Sequence, residues 1–591
     1  MSGQGHGHAR TLGVLATIAA GLVVIALAHS GSRAGEPDGW LFWAGLGAIL
    51  IPAGATLAGH GASRQERITI VIGAGLGMYL IKVLRDPFAF TFGDELAHLR
   101  NVQAIDATGA LFGTNTILPV TPRYPGLESV TAFLASAGGI SHFAAGLIVV
   151  GIARLVFVLA VYLLYERLTG SPRIAGVGAL LSMAAPTFLY FSAQFSYESL
   201  AIPLATAVIF ALVRRQSAVD TAEQRRWSAL VVVLSAAVIL THHLTSYAVL
   251  FFLIAACVAI TVRDGRRHAP WAATAIVAAM TAGWLAFVAS DTVGYLSPVL
   301  GRAFSSVGET LSREAGPRKL FDSAGSVDPT PLAERLAALF AVVVLAIAII
   351  NGVRTIRRQR WASPILLLLL AGALSYLATQ PLRLVPAAWE TGNRAGSVLF
   401  IAVGVTAAAG LLALLDRRGP STLGQLAVAA AVAVIVGGGV IAGWPANLRL
   451  AQPYRATAEE ATLEPPGAEL ARWARTELHP PVGIGAQNAD ARLLVTIGGQ
   501  PARQGTNPNV EGMLDAVRLE PWHRRLLKQN GLALVASNRL RLSRDNMDGY
   551  FFPRAGAEVA PPAATAKFDL LVTDRLYDDG DIVVFDVRGL W

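Results

Sequence analysis

The 591-residue chain is 54% hydrophobic and only 15% charged, with a mean hydropathy of +0.52, which excludes an ordinary soluble protein and marks a polytopic membrane protein. Its formal net charge of +9 does not call for nucleic acid, because most of the arginine excess falls in short loops between apolar runs, where it sets orientation. The single cysteine, Cys257, lies inside an apolar run, so an intramolecular disulfide is excluded.

In chain order, runs near the roughly 20 residues needed to cross a bilayer are Thr11–Ala28, Trp40–Ala58, Ile68–Leu84, Phe143–Tyr165, Arg173–Tyr190, Tyr197–Val213, Ser228–Thr241, Leu244–Val262, Trp271–Ser290, Leu332–Ile350, Trp361–Ala378, Ser397–Leu415 and Gly424–Gly443. They predict a mainly α polytopic membrane protein of about thirteen transmembrane helices. The first run has the length of a full span and no small-residue cleavage site, so it reads as a retained helix. Two spans between Ser228 and Val262 place His242 and His243 at a tight turn; a re-entrant pair of half-helices is the competing arrangement.

The loops carrying Arg64 and Arg67, Arg167 and Arg173, Arg214, Arg215, Arg225 and Arg226, Arg263, Arg266 and Arg267, Arg354, Arg357, Arg358 and Arg360, and Arg417 and Arg418 alternate along the chain. That alternation predicts a cytoplasmic N-terminus in the plasma membrane. Opposite them, outside, fall the interval after Leu84, the turn at Gln194–Ser199, the two histidines, the segment Asp291–Pro331, the loop Gln380–Arg394 and everything after Trp444. The chain thus divides into two N-terminal helices (1–66), a transmembrane region (67–443) with outer loops 85–142 and 291–331, and a C-terminal unit (444–591). In that unit Gly467–Leu478 has helical periodicity, and short apolar runs at Leu493–Ile497, Leu532–Ala536, Phe568–Val572 and Asp581–Val587 read as strands between turn residues, predicting a small extracytoplasmic α/β domain. No GxGxxG follows a strand, so no dinucleotide site is indicated.

The polar interval Phe92–Glu128 opens with Asp94 and Glu95 just beyond an apolar span. Carboxylates at a membrane surface suit chemistry on a lipid-linked substrate, and equally the capping box that Thr91 to Asp94 spells at the start of a helix. His98 stands four residues after Asp94 and shares its helix face. His242 and His243 suit a phosphate, a metal or a polar turn at the interface. Arg154, near the middle of an apolar span, requires an interior partner. The mixed charges of Arg302, Arg313, Arg318 and Lys319 with Glu309, Glu314, Asp322 and Asp328 suit a lid or an exposed interfacial helix.

A span ending in a loop that begins Asp-Glu, the segment Arg123–Gly126, and an acid a short way into a later outer turn, Glu198, together resemble the GT-C superfamily of integral membrane glycosyltransferases. The likeness is nearest to the protein mannosyltransferase and aminoarabinose transferase branch, with local matches at Asp94–His98, Tyr124–Gly126, Tyr197–Leu200 and Asn393–Arg394. The resemblance implies an inverting transfer of a sugar, a hexose or a pentose, from a polyprenyl-phosphate donor to a lipid, glycan or protein acceptor in cell-envelope assembly. By position it implies Asp94 as the base with Glu95 beside it, and Glu198 as the second acid, where that branch more often has Asp. Arg394, Arg383, Arg123, His242 and His243 would meet the donor phosphate, with His98, Tyr124 and Tyr197 near the acceptor or supporting the site. No cofactor is assigned, and a divalent metal is left open. The first two spans extend beyond the branch's usual layout. The alternative from another class is a transporter or flippase of a glycan lipid, which calls for an inverted repeat or paired broken helices; the sequence shows neither.

Overall fold

The computed structural model describes residues 2–115, 117–297, 321, 330–358, 363–385, 389–417, 419, 421–443, 464–503, 509–542, 561–569 and 573–590. The membrane part is built from α1 (Ser2–Ala34), α2 (Gly39–Ala58), α3 (Arg64–Arg85), α4 (Gly93–Thr108), α5 (Gly126–Gly138), α6 (His142–Thr169), α7 (Pro172–Ser182), α8 (Tyr197–Gln216), α9 (Thr221–Thr241), α10 (His243–Asp264) and α11 (Trp271–Phe287). It continues through α12 (Asp291–Ser297), α13 (Leu332–Arg358), α14 (Pro364–Thr379), α15 (Trp389–Asp416) and α16 (Thr422–Gly443).

Among the described residues eleven helices are long and apolar enough to cross a membrane, or up to twelve if the pair α11 and α12, bent by 91°, is one span. The expected span Arg173–Tyr190 differs most: α7 stops at Ser182, and the chain continues in turns to Ala193. Pro186 accounts for the stop, since its ring would clash with the carbonyl four residues back, at Ser182, and it has no N–H to donate there. The segment stays buried all the same, Ile174 to Ser199 being enclosed by neighbouring helices. Between α9 and α10 the chain breaks at His242 alone, in extended conformation (φ −155°, ψ 126°). Each flanking helix is of full spanning length, which removes the half-helix arrangement.

The arginine-rich loops gather at one end of the bundle. Arg64 Nε lies 2.8 Å from Glu166 Oε1, Arg173 Nη1 2.8 Å from Asp416 Oδ1, and Arg215 donates to the His268 carbonyl at 2.7 Å. The starts of α4 and α8, the break at His242 and the start of α15 belong to the opposite end, since α3 and α8 run from one end to the other in 22 and 20 residues. Where α13 crosses α15 the backbones touch: a Cβ on Gly352 would meet the Thr406 carbonyl oxygen at 1.8 Å, and one on Gly410 the Ala348 oxygen at 1.9 Å. Small residues permit such close crossings without any hydrophobic drive between helices.

Among the described residues the C-terminal unit holds a five-stranded sheet in the order β2-β1-β3-β5-β4, with β1 (Gly483–Gly485), β2 (Ala502–Arg503), β3 (Leu532–Asn538), β4 (Asp574–Asp578) and β5 (Ile582–Asp586). β2, β1 and β3 are parallel; β3, β5 and β4 are antiparallel. The run Leu493–Ile497, expected as a strand, belongs to the helix Asn488–Thr496. Leu493 packs toward α4 and Leu494 toward the sheet, so apolar residues fall on two sides of the helix, and so short a run has no period to distinguish the two states. Residues 570–572 of the expected strand Phe568–Val572 lie outside the described residues. The unit sits directly on α4: Arg100 Nη1 donates to the Val495 carbonyl at 2.9 Å, and Leu493 and Ala471 pack with Leu96, Leu99 and Val102.

Candidate active site

The turn that launches α4 is held by Glu95. Its carboxylate is fully enclosed, paired with Lys82 Nζ, and accepts the backbone N–H groups of Thr91 and Phe92 at 3.2 Å each and of Phe195 at 3.0 Å. The helix cap expected of Thr91 and Asp94 is therefore made one residue later, by Glu95 reaching back to Phe92. Glu95, expected beside Asp94 in the chemistry, is instead a strut that ties α3, α4 and the segment before α8 together, since all its acceptor capacity goes to protein donors. Asp94 is released from capping. It is half-buried, accepts no hydrogen bond among the described residues, and lies within electrostatic reach of Tyr197 and Glu198.

His98 also points inward rather than sharing a ligand with Asp94. Its Nδ1 lies 2.7 Å from Glu128 Oε1, and its Nε2 accepts the Tyr197 backbone N–H at 3.4 Å, so Nδ1 carries the proton. Asn101 Nδ2 reaches the same Glu128 oxygen at 3.1 Å and Thr121 Oγ1 at 2.9 Å. This buried network fixes the start of α8, and with it Glu198, relative to α4. Gly126 lets the start of α5 pack against the end of α9, because a Cβ there would meet Thr241 Oγ1 at 2.4 Å.

From His98 a row of rings leads to the α9–α10 break. Tyr197 lies 4.6 Å from His98 and stacks on His242 at 4.3 Å, and His243 lies 5.2 Å from Tyr124 and 6.1 Å from Tyr295. His242 Nδ1 is paired with Thr245 Oγ1 at 2.8 Å, whereas His242 Nε2 and His243 Nδ1 have no hydrogen-bond partner among the described residues. Burial, reinforced by His243 and Arg394, holds His242 well below the ordinary imidazole range, so it is neutral.

These groups border a cavity of about 440 Å³ between α8, α10, α12 and α15, lined by Tyr197, Glu198, His242, His243, Tyr295 and Arg394 together with Thr245 and apolar side chains. Arg394 sits with its guanidinium carbon 5.1 Å from the Phe191 ring centroid and acts electrostatically on Glu198, Tyr197 and both histidines. Glu198 is buried beside Ser397, whose hydroxyl lies 2.7 Å from Thr187 Oγ1.

Arg383 and Arg123, expected with Arg394 at a phosphate, do not line the cavity. Arg383 donates to the Ala442 carbonyl at 3.1 Å at the end of α16, and Arg123 pairs with Asp291 at 3.1 Å. Arg123 thereby acts with Tyr124, whose hydroxyl lies 3.0 Å from Thr292 Oγ1, to hold α12 in place. Lys82 and Glu128 are the buried partners of Glu95 and His98 that the sequence reading missed, although an ionisable residue inside an apolar helix is itself a signal of an interior partner. Among the described residues no three His, Cys, Asp or Glu side chains gather to hold a metal ion. The lid charges between 302 and 328, and the side chain of Glu390, lie outside the described residues.

No protein-family model and no curated protein matches the sequence. Among solved structures the chain is similar to ArnT from Cupriavidus metallidurans bound to undecaprenyl phosphate, with 14% identity, a TM-score of 0.51, and 88% of this chain and 97% of that one covered. It is also similar to the Archaeoglobus fulgidus oligosaccharyltransferase tethered with an acceptor peptide, with 12% identity, a TM-score of 0.52, and 85% and 71% covered. The eleven helices long and apolar enough to span among the described residues, the acidic starts of α4 and α8 and these two likenesses converge on one architecture: the chain is a multi-pass membrane protein with the fold of the GT-C glycosyltransferases.

Proposed function

We propose that this protein is an inverting glycosyltransferase that moves a sugar from a polyprenyl-phosphate donor to an acceptor at the outer face of the cytoplasmic membrane, in cell-envelope glycan assembly. The observation that carries the reading is the cavity at the end of the bundle opposite the arginine-rich loops. There Glu198 and Arg394 meet in a largely apolar enclosure, with Asp94 within electrostatic reach. The apolar walls suit a lipid-bound sugar phosphate whose chain remains in the bilayer. That ArnT is similar in fold and was solved with undecaprenyl phosphate supports this donor class.

In the proposed step Asp94 takes the proton of the acceptor hydroxyl as its oxygen bonds to the anomeric carbon. The bond from that carbon to the phosphate oxygen breaks on the opposite face, and polyprenyl phosphate leaves. Arg394 compensates the phosphate charge, with His242 Nε2 and His243 Nδ1 available as hydrogen-bonding groups. Glu198 holds the acceptor or the donor sugar from the second side. Glu95 and His98 position the two acidic helices without touching substrate.

The test is transfer by the purified protein in lipid vesicles supplied with radiolabelled polyprenyl-phosphate hexoses and pentoses and with envelope extract as acceptor. Label leaving one donor for the extract, lost in Arg394→Ala, is the expected result, and the donor consumed names the sugar. No consumption of any donor, together with movement of a labelled glycan lipid between leaflets, would replace the reading with transport.

A further inference from the structure

Arg154 has no place in the transfer step, yet it is a guanidinium held near the middle of a spanning helix and 4% exposed. It donates to the Phe188 carbonyl and stands 4.2 Å from the Phe188 ring centroid, while its Nε has no hydrogen-bond partner and the residue makes no ion pair among the described residues. A carbonyl and a ring face do not neutralise a buried charge, which is expensive at that depth without a counter-charge. Tyr79, the other titratable neighbour, has its hydroxyl committed to the Leu147 carbonyl at 2.7 Å.

The counter-charge is visible across a second, smaller cavity. It has a volume of about 20 Å³ and is lined by Arg154, Ser182, Thr187, Ser192, Glu198 and Ser397 among others. Roughly 10–15 Å³ is enough for one water. Glu198 therefore borders two cavities, with Arg394 on the side of the large one and Arg154 on the side of the small one. The groups that face it are Asp94 from α4, Arg154 from α6, Tyr197 beside it on α8, and Arg394 and Ser397 from α15, with His242 and His243 across the large cavity. Glu198 is enclosed, so a carboxylate there needs counter-charge; of these groups Asp94 is a like charge and the two arginines are opposite charges.

We propose that Arg154 is a positioning residue whose charge, acting across a single-water site in this cavity, keeps Glu198 ionised and oriented between the two arginines. The inference rests on reading Glu198 as part of the transfer site. Its physical core, the coupling of Arg154 to Glu198, is measurable without any transfer.

The experiment compares wild type, Arg154→Met, Arg154→Lys, Glu198→Gln and the double variant Arg154→Met/Glu198→Gln in vesicles. Infrared difference spectra over a pH titration are expected to show a protonated-carboxyl band at neutral pH in Arg154→Met that is absent in wild type, in Arg154→Lys and in the double variant. Where transfer is observed, its acid limb should move up by about one pH unit or more in Arg154→Met. In a Glu198→Gln background Arg154→Met should add no further loss. Should Arg154→Met be lost from the membrane, Glu198→Gln is expected to rescue it by removing the buried carboxyl that Arg154 no longer compensates, and failure of that rescue overturns the proposal. An Arg154→Met protein with no new carboxyl band and a wild-type pH profile also overturns it, leaving Arg154 a packing residue. If wild type transfers no sugar but the band behaves as described, the enzyme reading fails while the coupling stands.

Discussion

Replacing Lys82 by Met would isolate the role of the strut beneath Asp94. Lys82 and Glu95 have side-chain exposures of 2% and 0% and lie 2.5 Å apart, so the substitution leaves a carboxylate enclosed without its cation. Breaking a buried pair from one side typically costs about 3–5 kcal/mol. Glu95 retains three backbone N–H donors, from Thr91, Phe92 and Phe195, which places the loss near the lower bound, about 3 kcal/mol. Because those amides are tied to Glu95, the loss should appear as local opening of the α3–α4 turn and of the segment before α8. Hydrogen exchange of peptides covering 86–96 and 190–197 should accelerate by roughly 100-fold. Peptides from β3, remote in the C-terminal unit, should exchange as in wild type. Glu95→Ala should accelerate the same two segments. Exchange in Lys82→Met within a few-fold of wild type would refute the strut and return Glu95 to the list of groups open to substrate.

Gly126→Ala should lower the thermal midpoint by an amount corresponding to about 1–3 kcal/mol of overpacking. Its Cβ would lie 2.4 Å from Thr241 Oγ1 and 3.0 Å from Thr241 Cα, and fluorescence-monitored unfolding in detergent checks it. In the C-terminal unit, burial and the nearby Lys567 charge hold His523 below its ordinary value, and its Nδ1 accepts the Glu520 N–H at 2.8 Å, which requires the neutral ring. The unfolded chain therefore binds the proton first, so this contribution is complete above pH 6.5 and is lost as pH falls below it toward the folded value. The thermal midpoint should fall between about pH 7 and pH 5, and less so in His523→Asn. Arg33→Leu removes charge-assisted donation from α1 to the carbonyl of Arg85 at the end of α3. It should cost about 1.5–3 kcal/mol, read as faster exchange in peptides covering 80–90, and unchanged exchange there would detach the N-terminal helices from the site.

The membrane architecture was readable because each apolar run is long enough to be one object and the arginines mark every second loop. The readings that failed did so where a single local feature outweighed composition. Pro186 ends α7 at Ser182, and Leu493 and Leu494 are both apolar because one packs toward α4 and the other toward the sheet. Within the site, Asp94, Glu198, the two histidines and Arg394 stand in short polar motifs at span ends, which is why they were noticed together. The division of labour between Asp94 and Glu95 was not readable. Adjacent residues on a helix face different neighbours, and only the fold shows Glu95 turned toward Lys82 and Phe195. Glu128 was missed because its partner His98 is 30 residues away, and the signal was an acid in an otherwise apolar helix. Arg123 and Arg383 were grouped with Arg394 by charge and loop, whereas packing turns them toward Asp291 and Ala442.

The central claim is that Asp94 removes the acceptor proton at a donor-loaded cavity. It is tested most directly by single-turnover transfer in Asp94→Asn, with binding of the polyprenyl-phosphate sugar measured on the same preparation. The account predicts transfer slowed by about 10²–10⁴-fold, the usual worth of a general base, with donor binding within a few-fold of wild type. Transfer at the wild-type rate would contradict it.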